Sequence, residues 1–357
     1  MTIAIDPTEQ LAQGRAAYRA LTRRKLGLLA ALVLLLILSL VADMAIGPAR
    51  YALGDVALAL FAPAQADEAL QVVVWDIRLP VALMAVVVGA ALSVAGAQMQ
   101  TVLNNPLASP FTLGISAAAG FGASLALVLG VSLVPTLTSF IVPVNAFIMA
   151  VVAALLIHVL SHRKGVTTET IVLLGIALVF TFNALQAFLQ YLASEQALAA
   201  VVFWTMGSLG KATWGKLAIT SVVVALMLPL FARRAWQLTA LRLGDDKARS
   251  LGINVYRLRL ETLLAVSLLA AVPVAFVGTI GFIGLVGPHI ARMLIGEDQR
   301  FFLPASAITG ALMLSVTSVV SKSIVPGIIF PIGVITALVG VPFFFALILT
   351  SKKRSWQ

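Results

Sequence analysis

Runs of about 20 apolar residues recur along the whole chain, and this recurrence limits the fold more than any other feature. An α-helix of ~20 residues spans the ~30 Å hydrocarbon layer of a bilayer. In lipid the backbone must satisfy its own polar groups, so such runs cross as helices. The runs fall near 26–46, 80–100, 111–131, 140–160, 170–191, 213–231, 258–279, 281–295, 303–322 and 331–350. The stretches near 281–295 and 192–212 are broken by glycine or polar residues and read as short or re-entrant. A membrane β-barrel is excluded, because its strands are short and alternate apolar with polar positions. Only 11% of the 357 residues are charged, too few for a soluble domain of this length. The expected fold class is an all-α polytopic membrane protein with about ten transmembrane helices.

The connections are short. Residues 26–350 are expected to form a single transmembrane domain, with tails at 1–25 and 351–357. Arg23, Arg24 and Lys25 precede the first apolar run, as they would in a signal peptide. That run is long for a signal sequence, so it reads as a retained first helix. Lys and Arg in the connections set the orientation. With the N-terminus in the cytosol, only Arg50, Arg78, Lys211, Lys216 and Lys322 of the 24 basic residues fall on the outer side. Both termini are then cytosolic. The net charge of +10 is explained by topology, and no nucleic-acid partner is expected.

Catalytic chemistry finds little support. There is no G-x-x-x-x-G-K-[ST] and no H-E-x-x-H, and there are no cysteines. His158, His162 and His289 do not cluster with carboxylates at metal-ligand spacing. Asp43 and Glu195 lie near segment ends, so mid-membrane acids of the kind a proton-coupled pump uses are scarce.

Polar uncharged residues say more. Asn183, Gln186 and Gln190 share one face of the fifth segment, and Gln98 and Gln100 close the second. Amides are costly against lipid, so these should face inward, as interhelical hydrogen bonds or as the wall of a translocation path. Residues 104–110, NNPLASP, break the chain with two prolines. In residues 165–170, GVTTET, Thr167 or Thr168 can cap the fifth segment, with Glu169 in its first turn. Both turns read either as simple chain reversals or as the inner mouth of a pore. Residues 241–253, LRLGDDKARSLGI, sit in the longest hydrophilic interval after the N-terminal tail. Asp245 and Asp246 suit a first turn and Gly252 a C-terminal stop, so a short capped helix is expected. It reads as a docking handle or as an ordinary loop helix.

Several motifs occur in order: IRLP at 77–80, GAALSVAGAQMQTVLNNPLASPFTLGISAAAG at 89–120, WTMGSLG at 204–210, LRLGDDKARSLGI at 241–253, GFIGLVGPHIAR at 281–292 and PIGVITALVGVPFF at 331–344. Together they resemble the FecCD family, permease subunits of ABC importers for iron chelates, haem and cobalamin. The resemblance implies a type II ABC importer permease architecture in the bacterial inner membrane. It implies that Leu243, Gly244, Asp245, Asp246, Ala248, Arg249, Leu251 and Gly252 dock a cytosolic ATPase dimer. Asn105, Leu107, Thr167 and Thr168 match inner-gate positions, and Arg78 and Lys322 match outer positions that receive a periplasmic or lipid-anchored substrate-binding protein. A second permease copy or paralogue would complete the pathway within the membrane lipid. No cofactor is expected on this chain, with ATP and Mg held by the partner ATPase.

The sequence also departs from the family pattern. Val81 replaces a commonly basic residue, and Thr317 and Ser318 replace an Ala-Asp pair. Ile329 stands where a glutamate is common. This loss of outer negative charge fits an anionic cargo. An iron(III)–siderophore complex is the expected substrate, with haem or cobalamin as alternatives within the family. An ion-coupled secondary transporter, a membrane-embedded transferase and a structural scaffold are the rivals from other classes.

Overall fold

The computed structural model describes residues 7–49, 51–161 and 168–350, and among them there is no β-strand. The chain opens with α1 (Pro7–Ala45), α2 (Leu53–Phe61) and α3 (Glu68–Val72). Next come α4 (Leu79–Val102), α5 (Ile115–Leu129), α6 (Ile141–Ser161) and α7 (Thr168–Leu192). Then follow α8 (Glu195–Thr205), α9 (Trp214–Arg233), α10 (Ala235–Leu241) and α11 (Asp245–Ser250). The chain closes with α12 (Val255–Val277), α13 (Ile283–Ile295), α14 (Gln299–Ser323) and α15 (Ile332–Thr350).

Each apolar run becomes a helix. Seven described helices are long and apolar enough to cross a membrane, and α5, α13 and α15 are shorter apolar ones. The first helix differs from expectation. It begins at Pro7, so the helix already runs through residues 7–25 ahead of the apolar run. Apart from Gly14, they include many good helix formers, with Pro7 at the first helical position, where proline is tolerated.

Helix α4 is the axis of the bundle. It packs against α14, α12, α13 and α9, and every residue from 91 to 102 is buried. A helix apolar all round is one enclosed on all sides. Small residues make that enclosure possible. A Cβ on Gly96 would overlap the carbonyl of Gly284, and one on Gly89 would overlap the carbonyl of Gly310. Ser93 fills the space between Gly287 and Gly310. Close backbone approach of this kind replaces the hydrophobic drive that lipid does not supply.

The two interrupted stretches behave as their sequences suggest. Helix α13 has 13 residues, about 20 Å, which does not span the bilayer. Residues 278–282 turn back inward before it, with Gly278 and Phe282 at positive φ. The irregular segments satisfy one another. Ser208 N–H donates to Val277 O at 2.7 Å, Ile332 N–H to Gly207 O at 3.1 Å, and Gly333 N–H to Met206 O at 2.9 Å. Non-helical backbone survives at membrane depth only where protein partners take its polar groups.

Candidate functional site

The polar face of α7 borders a cavity of about 540 Å³ that Asn183, Gln186 and Gln190 line together. Phe111, Ser116 and Gly120 close it from the α5 side, and Thr205 and Thr279 from the re-entrant segments. The Gln186 amide lies against Gly120, where a Cβ would come within 2.6 Å of its Oε1. A second cavity of about 660 Å³ shares Phe111, Thr205 and Thr279 and runs along α15 past Val334, Leu338 and Val341. Among the described residues, neither cavity is lined by an ionisable side chain. The wall therefore offers amide and hydroxyl groups on one side and aliphatic surface on the other. That chemistry recognises shape and weak polar contacts, not a formal charge.

Gln98 and Gln100 do not join this wall. Both are fully buried beside the other helices that enclose α4. Gln98 Nε2 donates to Gln299 Oε1 at 2.9 Å, and Gln299 Nε2 donates to Thr101 Oγ1 at 3.0 Å. Gln100 Oε1 accepts from the Arg292 guanidinium at 2.9 Å. These amides tie α4 to α13 and α14, as buried amides must find partners somewhere. In this chain both amides thus find their partners among α4, α13 and α14.

At the cytosolic end the chain builds a charged frame around the turn at residues 104–110. Asn104 sits at φ 44°, a left-handed conformation that asparagine tolerates. The Asn105 side chain accepts from Leu107 N–H at 2.9 Å and fixes the turn locally, leaving Leu107 exposed. Arg242 pairs with Glu297 and also reaches Asn104 Oδ1 at 3.4 Å. Arg292 pairs with the same Glu297 at 3.1 Å. Thr168 opens α7 on the same side, whereas Thr167 lies outside the described residues. At the start of α14, Asp298 accepts from Arg300 N–H, and hydrogen bonds from the Arg300 side chain hold its carboxyl below the ordinary range.

The short helix expected within residues 241–253 forms as α11, with no side-chain hydrogen bond capping its first turn. Gly244 precedes α11 at φ 101° and Gly252 follows at φ 79°, conformations that glycine adopts freely. Asp245 and Asp246 occupy the first turn. Leu243, Leu251, Asp246 and Arg249 are exposed, while Ala248 is buried against the protein. Asp245 turns inward. Arg259 donates to it at 3.1 Å and 3.3 Å, and the Arg259 Nε donates to Val102 O at 2.9 Å. One guanidinium thus joins the exposed helix to the last turn of α4, immediately before residues 104–110. The sequence shows no spacing that reveals Arg242, Arg259, Arg292 and Glu297 as one frame, because their partners come from distant segments.

Arg78 and Lys322 also serve the chain itself. The Arg78 guanidinium is buried, donates to Met44 O at 2.6 Å and Ala45 O at 3.1 Å, and lies over Tyr51. It closes the open carbonyls at the end of α1. Lys322 Nζ donates to Asp43 Oδ1 at 2.9 Å, with the two side chains 8% and 0% exposed. As placed, neither charge is directed outward to a partner. Lys322→Met is expected to destabilise the protein by about 3–5 kcal/mol, because Asp43 stays buried without its counter-charge. Thermal unfolding in detergent checks this, and adding Asp43→Asn should recover most of the loss.

Comparison with known proteins places these features in context. The model of the FecCD transport family matches residues 32–350. A Methanocaldococcus jannaschii protein assigned as an ABC transporter permease is 37% identical over 344 residues, covering 94% of this chain and 98% of its own length. The hemin transport system permease protein HmuU of Yersinia pestis is 39% identical over 282 residues, 79% of this chain and 84% of that protein. A solved structure of an inward-facing transporter assigned to the metal-chelate ABC type has a TM-score of 0.79 and 31% identity. It covers 90% of this chain and 99% of that one.

Proposed function

The chain belongs to the FecCD transport family of ABC importer permeases, and on that premise we propose that it carries an iron(III)–siderophore complex inward across the cytoplasmic membrane. The chain supplies alternating access and performs no covalent chemistry. ATP and Mg bind a partner ATPase dimer that docks on α11, and a substrate-binding protein delivers the cargo from outside. Exposed apolar side chains on α7 (Leu173, Phe180, Phe188) and on α15 (Leu338, Phe345) suit burial against a second permease copy or paralogue. Such pairing would turn the two open cavities into one enclosed path.

The observation that carries the cargo class is the wall formed by Asn183, Gln186, Gln190, Thr205 and Thr279, which has hydrogen-bonding groups and no charge. A chelate has its metal charge wrapped in organic ligand, so it presents the donors and acceptors such a wall reads. Uptake of radiolabelled iron(III) chelate, haem and cobalamin into vesicles holding the assembled transporter tests this. The iron chelate should accumulate, and Asn183→Leu with Gln186→Leu should lower its uptake roughly tenfold, as expected when a couple of polar contacts are lost. Accumulation of haem or cobalamin in its place would overturn the cargo assignment and leave the permease role standing.

A further inference from the structure

The side of the bundle opposite α11 carries a second feature that the transport path does not use. Lys211 and Lys216 lie at the rim of a cavity of about 750 Å³. Lys216 Nζ donates to the backbone Lys211 O at 2.7 Å, and both lysines belong to the same rim. Neither forms an ion pair with a carboxylate among the described residues. The same rim takes Ile329 and Phe330 from the loop before α15, side chains that add no negative charge. Two neighbouring cations without a counter-charge call for an anion.

What lies beneath them narrows the class. The cavity continues through Phe140, Pro143, Ala275 and Phe276 into an apolar groove of about 310 Å³. Its walls come from α6 and α9, with α12 as the floor, and Val144, Phe147 and Ile219 carry it deeper into the membrane. Among the described residues, no charged side chain lines this part. Indoles mark the depth of the rim. Trp214 Nε1 donates to Trp75 O at 3.0 Å, and Trp75 Nε1 donates to Ala59 O at 2.9 Å. Tryptophans anchored in this way sit at the boundary between headgroups and hydrocarbon.

We propose that this groove is a binding site for an anionic phospholipid of the outer leaflet. The phosphate rests at Lys211 and Lys216, and an acyl chain lies over α12 between α6 and α9. A purely soluble anion would leave the groove empty, and an acidic loop of a protein partner would not reach hydrocarbon depth. The inference is independent of which cargo the permease carries.

The test uses the purified chain in mixed micelles holding equal amounts of phosphatidylglycerol and phosphatidylcholine with matched acyl chains. Native mass spectrometry then reads which lipid is retained. The wild-type protein should favour phosphatidylglycerol by roughly thirtyfold, the scale expected for two lysines near an anionic headgroup. Lys211→Gln with Lys216→Gln should bring that preference to about parity while the melting temperature falls by no more than a few degrees, since Lys211 is exposed and half-buried Lys216 gives up one hydrogen bond. Ile219→Trp, which fills the exposed groove, should reduce retention of both lipids. Equal retention by the wild-type protein, or a preference that survives loss of both lysines, would overturn the proposal. So would a lysine variant that loses binding of an anionic iron chelate with lipid retention unchanged, because the site would then belong to the cargo.

Discussion

Gly96→Ala is expected to abolish folded protein in the membrane. The added methyl would overlap the carbonyl of Gly284, which belongs to the backbone of α13 and has no rotamer to escape into. Relief requires α4 and α13 to separate, and that would disturb the buried interior along α4. Overpacking in well-packed cores typically costs about 1–3 kcal/mol. Here the clash is with backbone, so the cost should lie at or above that range, a large part of a marginal stability. Gly215→Ala is the control. It lies on α9 with open space around its Cβ position, and alanine there favours the helix by about 1 kcal/mol. Chromatographic yield of monodisperse protein after detergent extraction checks both, with near-complete loss expected for the first and none for the second.

The second large effect concerns transmission from α11. Arg259→Met should leave ATP hydrolysis by the partner running while uptake falls more than tenfold. Arg259 is 13% exposed in its side chain and binds both Asp245 and the carbonyl of Val102. Removing it leaves a mostly buried carbonyl without a donor and leaves Asp245 paired only with Arg249 of its own helix, so movement of α11 should no longer reach the turn at 104–110. Losing a hydrogen bond to a charged group costs about 1.5–3 kcal/mol, enough to shift a two-state element more than tenfold. The neighbouring acid provides contrast. Asp246 is 97% exposed in its side chain and meets only Arg249, so its ion pair contributes about 0–1 kcal/mol to stability. Asp245→Arg combined with Arg259→Asp should recover part of the uptake, since the pair is re-formed with the opposite sense. Uptake and ATP hydrolysis measured on the same vesicles distinguish this outcome from simple misfolding.

Much of the membrane architecture was legible because apolar run length translates directly into helices. The close packing of α4 rests on small residues, Gly89, Ser93 and Gly96, which the structure places against Gly284, Gly287 and Gly310. The short helix at residues 245–250 was legible from its paired aspartates and from Gly252. The amides were not equally readable. Gln98 and Gln186 have the same chemistry and both lie in apolar helices. Which faces Gln299 and which faces a cavity depends on neighbours more than 60 residues away. The contacts of Arg78 with the end of α1 and of Lys322 with Asp43 were not legible either, because they join segments distant in the chain. The frame of Arg242, Glu297 and Arg292 was invisible for the same reason. Its members become adjacent only when α10, α13 and the turn after α4 converge.

The central claim is that this chain is a passage whose energy comes from ATP on a partner. Liposomes holding the chain with its ATPase, ATP inside and loaded binding protein outside, give the most direct measurement. Cargo should accumulate only when ATP is present, hydrolysis should rise when the loaded binding protein is added, and a proton ionophore should change neither. Accumulation that survives removal of the ATPase and collapses with the ionophore would contradict the account.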